Sequence, residues 1–121
     1  MSREAVVRAY LKAMAASDLD RVLDCFTPDG LVTSPVYGGV PVAEFYRRLF
    51  ADTHSAAVDL KHIYTSADGA HLAAHFDYRW ERLDGTRTRC DLVDLFDFAP
   101  GINRVAHLTI LFDTARIGRA D

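Results

Sequence analysis

Apolar residues recur every three to four positions at three places in the first 51 residues, which is the spacing of amphipathic helices. The first helix is predicted over residues 3–16, where Tyr10 lies within the apolar stripe. A second, short helix has Ser17 or Asp18 as its cap and an apolar face that runs from Leu19 to Phe26. The third helix is predicted over 41–51, with an inner face that comprises Val42, Phe45, Tyr46, Leu49 and Phe50.

Strands dominate the rest of the chain. Thr-Pro-Asp-Gly at 27–30 predicts a turn, followed by a short strand over 31–34. After the third helix the apolar period becomes two, and turn residues separate four longer strands, predicted over 58–64, 71–82, 86–98 and 104–113. Helices followed by an antiparallel meander indicate an α+β fold in which the helices pack on one face of a bent sheet. The concave interior of such a sheet is a natural small-molecule site.

Composition narrows the possible functions. A length of 121 residues predicts one domain, 1–121. The net charge of −3 and the pI near 5.9 give no basic footprint for nucleic acid. No apolar run approaches the roughly 20 residues of a membrane span, and the N-terminus lacks a signal-peptide pattern, so a cytoplasmic protein without membrane contact is expected. Cys25 and Cys90 are expected to be free thiols, and no cluster has metal-ligand spacing.

Asp94 breaks the pattern of its predicted strand. The even positions from Thr88 to Phe98 form one apolar face, and Asp94 lies on that face between Leu92 and Phe96. An ionised carboxylate there would be costly, so the group must be paired, protonated or hydrogen-bonded. Two interpretations stay open: a structural aspartate, and a functional carboxyl group whose pKa is raised by an apolar pocket.

Two histidines lie in the predicted strands near Asp94 or its neighbours in the sheet. His107 falls on the opposite face of the last strand from Leu108, Ile110 and Phe112, so it receives no role. His62 shares a face with Leu60 by strand alternation and is kept as a reserve candidate, although a lone histidine of this kind is more often a core or rim residue.

The chain resembles the ketosteroid isomerase branch of the nuclear transport factor 2-like (SnoaL-like) superfamily over nearly its whole length. The similar stretches are Ala5–Tyr10, Ser17–Asp20 with Phe26, Pro35–Val36, Glu44–Tyr46, Val93–Phe98 and Leu111–Phe112. The resemblance implies a cone-shaped, curved antiparallel sheet with N-terminal helices on its concave face, and a homodimer that forms through the sheet. It implies no cofactor.

The resemblance also implies roles for individual residues. Tyr10 matches the catalytic tyrosine of an oxyanion hole, Asp94 matches its protonated carboxylic acid partner, and Tyr46 matches a tyrosine that supports the first by hydrogen bonding. The family's general base is an aspartate before a proline, whereas this chain has Ser34 before Pro35. Serine has no useful basicity near neutral pH, so the base is missing or lies elsewhere.

A second branch, the limonene epoxide hydrolases, activates water with an aspartate–arginine–aspartate set. Asp77 and Arg79 have a suitable spacing, but they fall on the polar face of their strand, which ranks this alternative low.

The sequence therefore predicts an enzyme that stabilises the enolate of a steroid-like or polyketide-like carbonyl compound. The alternative is a non-catalytic module that binds a hydrophobic cyclic ligand. Tyr10, Asp94 and Ser34 are the predicted catalytic positions. The predicted ligand-binding positions are Tyr46, Phe45, Val32, Phe76, Trp80, Phe96, Leu108, Ile110, Phe112 and His62.

Overall fold

Among the described residues, three helices form the layer that covers the sheet. The computed structural model describes residues 1–35 and 38–113; Val36, which belongs to one stretch of the resemblance, lies outside them. The helices are α1 (Arg3–Ala15), α2 (Leu19–Asp24) and α3 (Val42–Ala51). Of the two candidate caps of α2, Asp18 is the one used, because its side chain accepts a hydrogen bond from the backbone of Arg21. Within the described ranges, no helix is long and apolar enough to cross a membrane.

In the part of the chain that the structure describes, six strands form one curved sheet that does not close. They are β1 (Phe26–Thr33), β2 (Val40–Pro41), β3 (Thr53–Thr65), β4 (His71–Arg82), β5 (Arg87–Phe98) and β6 (Val105–Phe112), in the spatial order β2-β1-β6-β5-β4-β3. Strands β3 to β6 form the predicted antiparallel meander, whereas β1 runs parallel to β6. The α+β fold class is confirmed, and the sheet is mixed rather than wholly antiparallel.

The predicted turn at 27–30 is wrong. These residues lie inside β1, and Phe26, predicted at the end of the second helix, is the first residue of that strand. Phe26 pairs with Val105 and Leu31 pairs with His107, so β1 has more residues than β6 between the two pairs. This irregularity accommodates the Pro-Asp-Gly sequence, because residues that bulge out of a ladder need not pair with the neighbouring strand.

Strand β3 also differs from its predicted form, beginning at Thr53 rather than at residue 58. A register shift between Leu60 and His62 inserts one extra residue, so the alternation of faces reverses. Ile63, paired with Ala74, then occupies the inward position that strict alternation assigned to His62. His62 is exposed, with its ring 5.9 Å from the ring of Tyr64, so its prediction as a cavity residue is wrong.

Candidate functional site

The concave face of the sheet and helices α1 and α3 enclose a cavity of about 450 Å³, within the usual range for small-molecule pockets. Strands β4, β5 and β6 supply its sheet side in successive cross-strand rows. Asp94 pairs with both Ala74 and Ile110, and Leu92 pairs with both Phe76 and Phe112. The next two rows are Tyr78 with Cys90 and Trp80 with Thr88. The cavity is therefore a mainly apolar channel that runs along the strands.

Two tyrosines lie at the closed end of the cavity, one from each covering helix. Tyr10 and Tyr46 are each 1% exposed, and their hydroxyl groups are hydrogen-bonded to each other. The Tyr10 ring packs edge-on against Phe96 and Phe26, with centroid distances of 5.4 Å and 5.9 Å. Burial, reinforced by Tyr46 and Asp94, raises the pKa of Tyr10 well above its usual value, and burial beside Asp94 raises the pKa of Tyr46. Both hydroxyl groups are therefore protonated at neutral pH.

Asp94 completes the closed end. It is 1% exposed, and within the described part of the chain its buried Oδ1 atom has no hydrogen-bond partner. Desolvation by burial raises the pKa of Asp94 well above its usual value, because an apolar environment disfavours the charged carboxylate. In its neutral form the group is a carboxylic acid that can donate a hydrogen bond. Tyr10 and Asp94 both line the cavity, so the closed end presents hydroxyl and carboxyl groups to a ligand.

Ser34 also lines the cavity and is half-buried. It follows Thr33, which pairs with Thr109, and the same register carried one residue further places Ser34 beside Ile110. Ile110 pairs in turn with Asp94, so Ser34 and Asp94 are separated by two strand spacings, about 10 Å between backbones. Ser34 and Asp94 thus lie on opposite sides of the same end of the cavity.

Charged residues surround the open end, which we call the mouth. Glu44 and Arg48 form an ion pair on α3 with an N–O distance of 2.8 Å, and Asp52 and Arg82 form a second at 2.5 Å. The guanidinium of Arg82 also lies over the ring of Trp80, 5.1 Å from the ring centroid. All four charged residues line the cavity, so its two carboxylates other than Asp94 are both neutralised by arginine in the described structure.

Most of the predicted site residues meet at the cavity. Tyr10, Asp94 and Ser34 line it, as do the predicted ligand-binding residues Tyr46, Phe45, Phe76, Trp80, Ile110 and Phe112. Three others, Val32, Phe96 and Leu108, are not on its surface as described. They form one cross-strand row and are 0% exposed. Contrary to their expected position, these three residues do not line the cavity, because this row is closed by packing, with the Tyr10 ring against Phe96.

The cavity also contains residues that the sequence did not single out. Tyr78, Cys90 and Leu92 were on the predicted inner faces of their strands, so alternation contained the necessary signal. Met14 lay in the apolar stripe of the first helix. The residues of the mouth had no comparable signal, because polar residues near a helix end or strand end are ordinarily solvated.

Several other residues lie away from this cavity. His107 contacts Thr33 on the outer face of the sheet, with 2.8 Å between His107 Nε2 and Thr33 Oγ1, as its strand position predicts. Asp77 is ion-paired with Arg79 and Arg89 on that same face. Cys25 and Cys90 are free thiols. Among the described residues, no group of three or more His, Cys, Asp and Glu side chains could hold a metal ion.

Comparison with known proteins gives a family match and a shared fold. The sequence model of the SnoaL-like domain matches residues 7–107. The chain superimposes on SalBIII, described as an epoxide hydrolase/cyclase-like enzyme with a role in pyran ring formation in the polyether salinomycin. The TM-score is 0.84, at 16% identity over 98% of this chain and 95% of that chain.

Two further structures are similar. The Δ5-3-ketosteroid isomerase from Mycobacterium sp. has a TM-score of 0.83, at 14% identity over 99% of this chain and 100% of that chain. A putative polyketide cyclase from Pseudomonas putida has a TM-score of 0.77, at 18% identity over 95% and 94%. No curated protein matches the chain significantly. At these identities the structural similarities establish the fold.

Proposed function

The chain belongs to the SnoaL-like domain family, and we propose that it is a small-molecule enzyme of the ketosteroid isomerase type. One observation carries this proposal: a buried carboxyl group with an unpartnered oxygen, Asp94, lies beside the Tyr10–Tyr46 pair at the closed end of an apolar cavity. An apolar core does not require three such polar groups together. Their arrangement suits a ligand oxygen that accepts hydrogen bonds from them.

In the proposed reaction, the carbonyl oxygen of a cyclic substrate accepts hydrogen bonds from Tyr10 and from protonated Asp94. Removal of a proton from the carbon next to the carbonyl moves negative charge onto that oxygen, forming an enolate. Donors fixed in a dry site stabilise this charge, and loss of one such donor typically raises the barrier by about 3–4 kcal/mol. Tyr46 supports Tyr10 by holding its hydroxyl group in place. Return of the proton to another carbon completes an isomerisation.

The proton acceptor is the open part of this mechanism. Ser34 lies where the resemblance implies an aspartate, and a serine hydroxyl is too weak a base. Glu44 and Asp52 are held by arginines at the mouth, and His62 lies outside the cavity. We therefore propose that a basic group of the substrate itself accepts the proton, and that Ser34 positions that group by a hydrogen bond. Isomerisation, aldol cyclisation and elimination are all compatible with this arrangement.

The second candidate function is binding without turnover. Each carboxyl group among the described cavity residues is either buried and protonated, as Asp94 is, or paired with an arginine. None of them is a free carboxylate that could act as the base, and this favours binding without turnover. Such a protein would hold a hydrophobic cyclic ligand by its oxygen through the same Tyr10–Asp94 donors.

An assay of 5-ene to 4-ene ketosteroid conversion, with wild type and Ser34→Asp, separates these candidates. Turnover by the wild type supports the enzyme. Activity that appears only in Ser34→Asp means that the wild type has the hydrogen-bond donors of an isomerase but lacks the base. This outcome favours binding without turnover as the function of the wild type. Thr33→Asp is a matched control, because Thr33 faces the outer side of the sheet beside His107. If neither the wild type nor Ser34→Asp turns over the steroid or binds a phenolic steroid, the proposed substrate class is wrong.

We also propose that two copies of the chain associate through the outer face of the sheet. Large apolar side chains are exposed there: Leu31 at 42%, Leu111 at 46% and Tyr64 at 58%. Sedimentation velocity would detect a dimer, and Leu111→Glu is expected to shift it toward monomer. A wild type that sediments as a monomer at micromolar concentration would contradict this proposal.

A further inference from the structure

A groove between α1 and β3 lies outside the candidate site. Its volume is about 370 Å³. The residues that line it are Arg8, Leu11, Lys12, Ala15, Val58 and Leu60. The four apolar side chains form its floor, whereas the two basic residues are exposed on α1, one helical turn apart. The groove is therefore apolar with a positively charged rim, and it shares none of these residues with the cavity described above.

The two cations of the rim differ in their partners. Arg8 forms an exposed ion pair with Glu4, with an N–O distance of 3.4 Å. The Lys12 ammonium makes no ion pair or hydrogen bond with the part of the chain that the structure describes. An acidic group placed at this rim would therefore meet a cation that no carboxylate of the described residues neutralises.

The groove opens at an edge of the sheet, because β3 is the last strand in the spatial order. Strand β3 pairs with β4 on one side, and within the described ranges its other side forms no backbone hydrogen bond. Pairing with β4 is regular from Ser55 to Leu60, between a register shift at either end. An unpaired edge is a template for another extended chain. The two shifts restrict this template to a short stretch, which suits one segment of a partner.

The regular edge and the groove coincide. Val58 and Leu60 belong to both, and they share a face because side chains of a strand recur on one face at every second position. A chain added along this edge continues the concave face of the sheet, so its alternate side chains lie over the groove. Apolar side chains suit the floor of the groove, and acidic side chains beside them suit Arg8 and Lys12.

We propose that this edge binds an extended acidic segment of a partner protein, which is added to the sheet as a further strand. Its apolar side chains lie over Val58 and Leu60, and its acidic side chains meet the cations of α1. A second copy of β3 fits less well, because the inward residues of its regular stretch, Ala56, Val58 and Leu60, include no acid. The inference is independent of the reaction proposed for the cavity.

A short peptide tests the charge of the partner. The probe is Glu-Ser-Val-Ser-Val-Ser-Glu with blocked ends and a fluorophore, which presents two valines between two glutamates on one face when it is extended. Its charge-reversed counterpart has lysine in place of both glutamates. Fluorescence anisotropy would measure binding of each peptide to wild type, Lys12→Glu and Arg47→Glu. Arg47→Glu is the matched control, because Arg47 is also exposed on a helix but lines neither the groove nor the cavity.

Wild type is expected to bind the acidic peptide about 3- to 10-fold more tightly than its charge-reversed counterpart, as a small number of exposed ion pairs provides. Lys12→Glu is expected to remove this preference and Arg47→Glu to retain it. Equal binding of the two peptides by wild type, or a preference that persists in Lys12→Glu, overturns the acidic partner. Absence of binding by wild type at millimolar peptide overturns the whole inference and leaves the proposed function of the cavity intact.

Backbone methylation of the acidic peptide tests strand addition separately. In an added strand, alternate backbone N–H groups point toward β3 and the others point away from it. Methylating the nitrogens of one set, the serines or the valines, is expected to weaken binding about tenfold or more, and methylating the other set to be tolerated. Equal effects of the two methylations show that the edge of β3 is not used, which overturns the proposed strand addition.

Discussion

Tyr10 on α1 and Tyr46 on α3 are joined by a hydrogen bond between their buried hydroxyl groups. Replacing either tyrosine by phenylalanine leaves the other hydroxyl buried without this partner, at a cost of about 1–3 kcal/mol in the free energy of unfolding. The double variant Tyr10→Phe/Tyr46→Phe is expected to lose less free energy of unfolding than the sum of the two single variants, because neither hydroxyl is then left buried without its partner. Urea unfolding of the four proteins measures this coupling, and strictly additive costs would contradict the pairing.

Asp94 is expected to make the stability of the protein depend on pH. Its folded-state pKa is raised above the unfolded value, so the folded state retains the proton more strongly. The stabilisation from this proton is therefore fully present below the unfolded pKa, near 4, and is lost as pH rises through the folded pKa. The slope is at most about 1.4 kcal/mol per pH unit.

The neutral variant Asp94→Asn is expected to remove this slope and to be more stable than wild type at mildly alkaline pH. The control is Asp59→Asn, an exposed aspartate on β3. Urea unfolding at a series of pH values provides the comparison. A wild type and an Asp94→Asn variant with parallel pH profiles would show that Asp94 is not retained as the acid.

Asp94 is also expected to control the affinity for a phenolic steroid. Asp94→Asn keeps a neutral donor of similar size, so binding is expected to be preserved. Asp94→Ala removes the donor and is expected to weaken binding about tenfold, within the range for one hydrogen bond in a buried site. Fluorescence or calorimetric titration measures both variants. Equal affinity of all three proteins would exclude contact between Asp94 and the ligand oxygen.

Arg3 is expected to be important for stability without any role in the site. Its guanidinium donates to the backbone carbonyls of Gly69, Ala99 and Ile102 at 2.8–3.1 Å, and it lies 5.0 Å from the ring centroid of Phe98. These bonds join the start of α1 to two turns of the sheet. Arg3→Ala is expected to lower the free energy of unfolding by about 1.5–3 kcal/mol.

Arg8→Ala is the matched control for Arg3, on the same helix. Arg8 makes an exposed ion pair with Glu4, so its loss is expected to cost no more than about 0.5 kcal/mol. Thermal unfolding would rank the two variants, and similar losses would show that the bonds of Arg3 add little.

The resemblance to a known family contributed most of the agreement at the site. It grouped Tyr10, Tyr46 and Asp94, which are far apart in the sequence, and all three lie at the closed end of the cavity. Strand alternation independently identified Asp94 as a carboxyl group on an inward face. Alternation was insufficient where the register is irregular: one extra residue in β3 turned His62 outward and Ile63 inward. Such a bulge depends on the pairing with β4, which the residues of β3 alone do not specify.

Local periodicity, which depends on which side of a helix or strand is apolar, was enough to predict the helices, the meander and the burial of Asp94. It could not show where the apolar interior is packed solid and where it is open. Val32, Phe96 and Leu108 share the inward face with Ile110, yet the first three are closed core and Ile110 lines the cavity. That difference depends on how far the helices lie from each row of the sheet. The same tertiary packing places Asp94 beside Tyr10 at the closed end of the cavity.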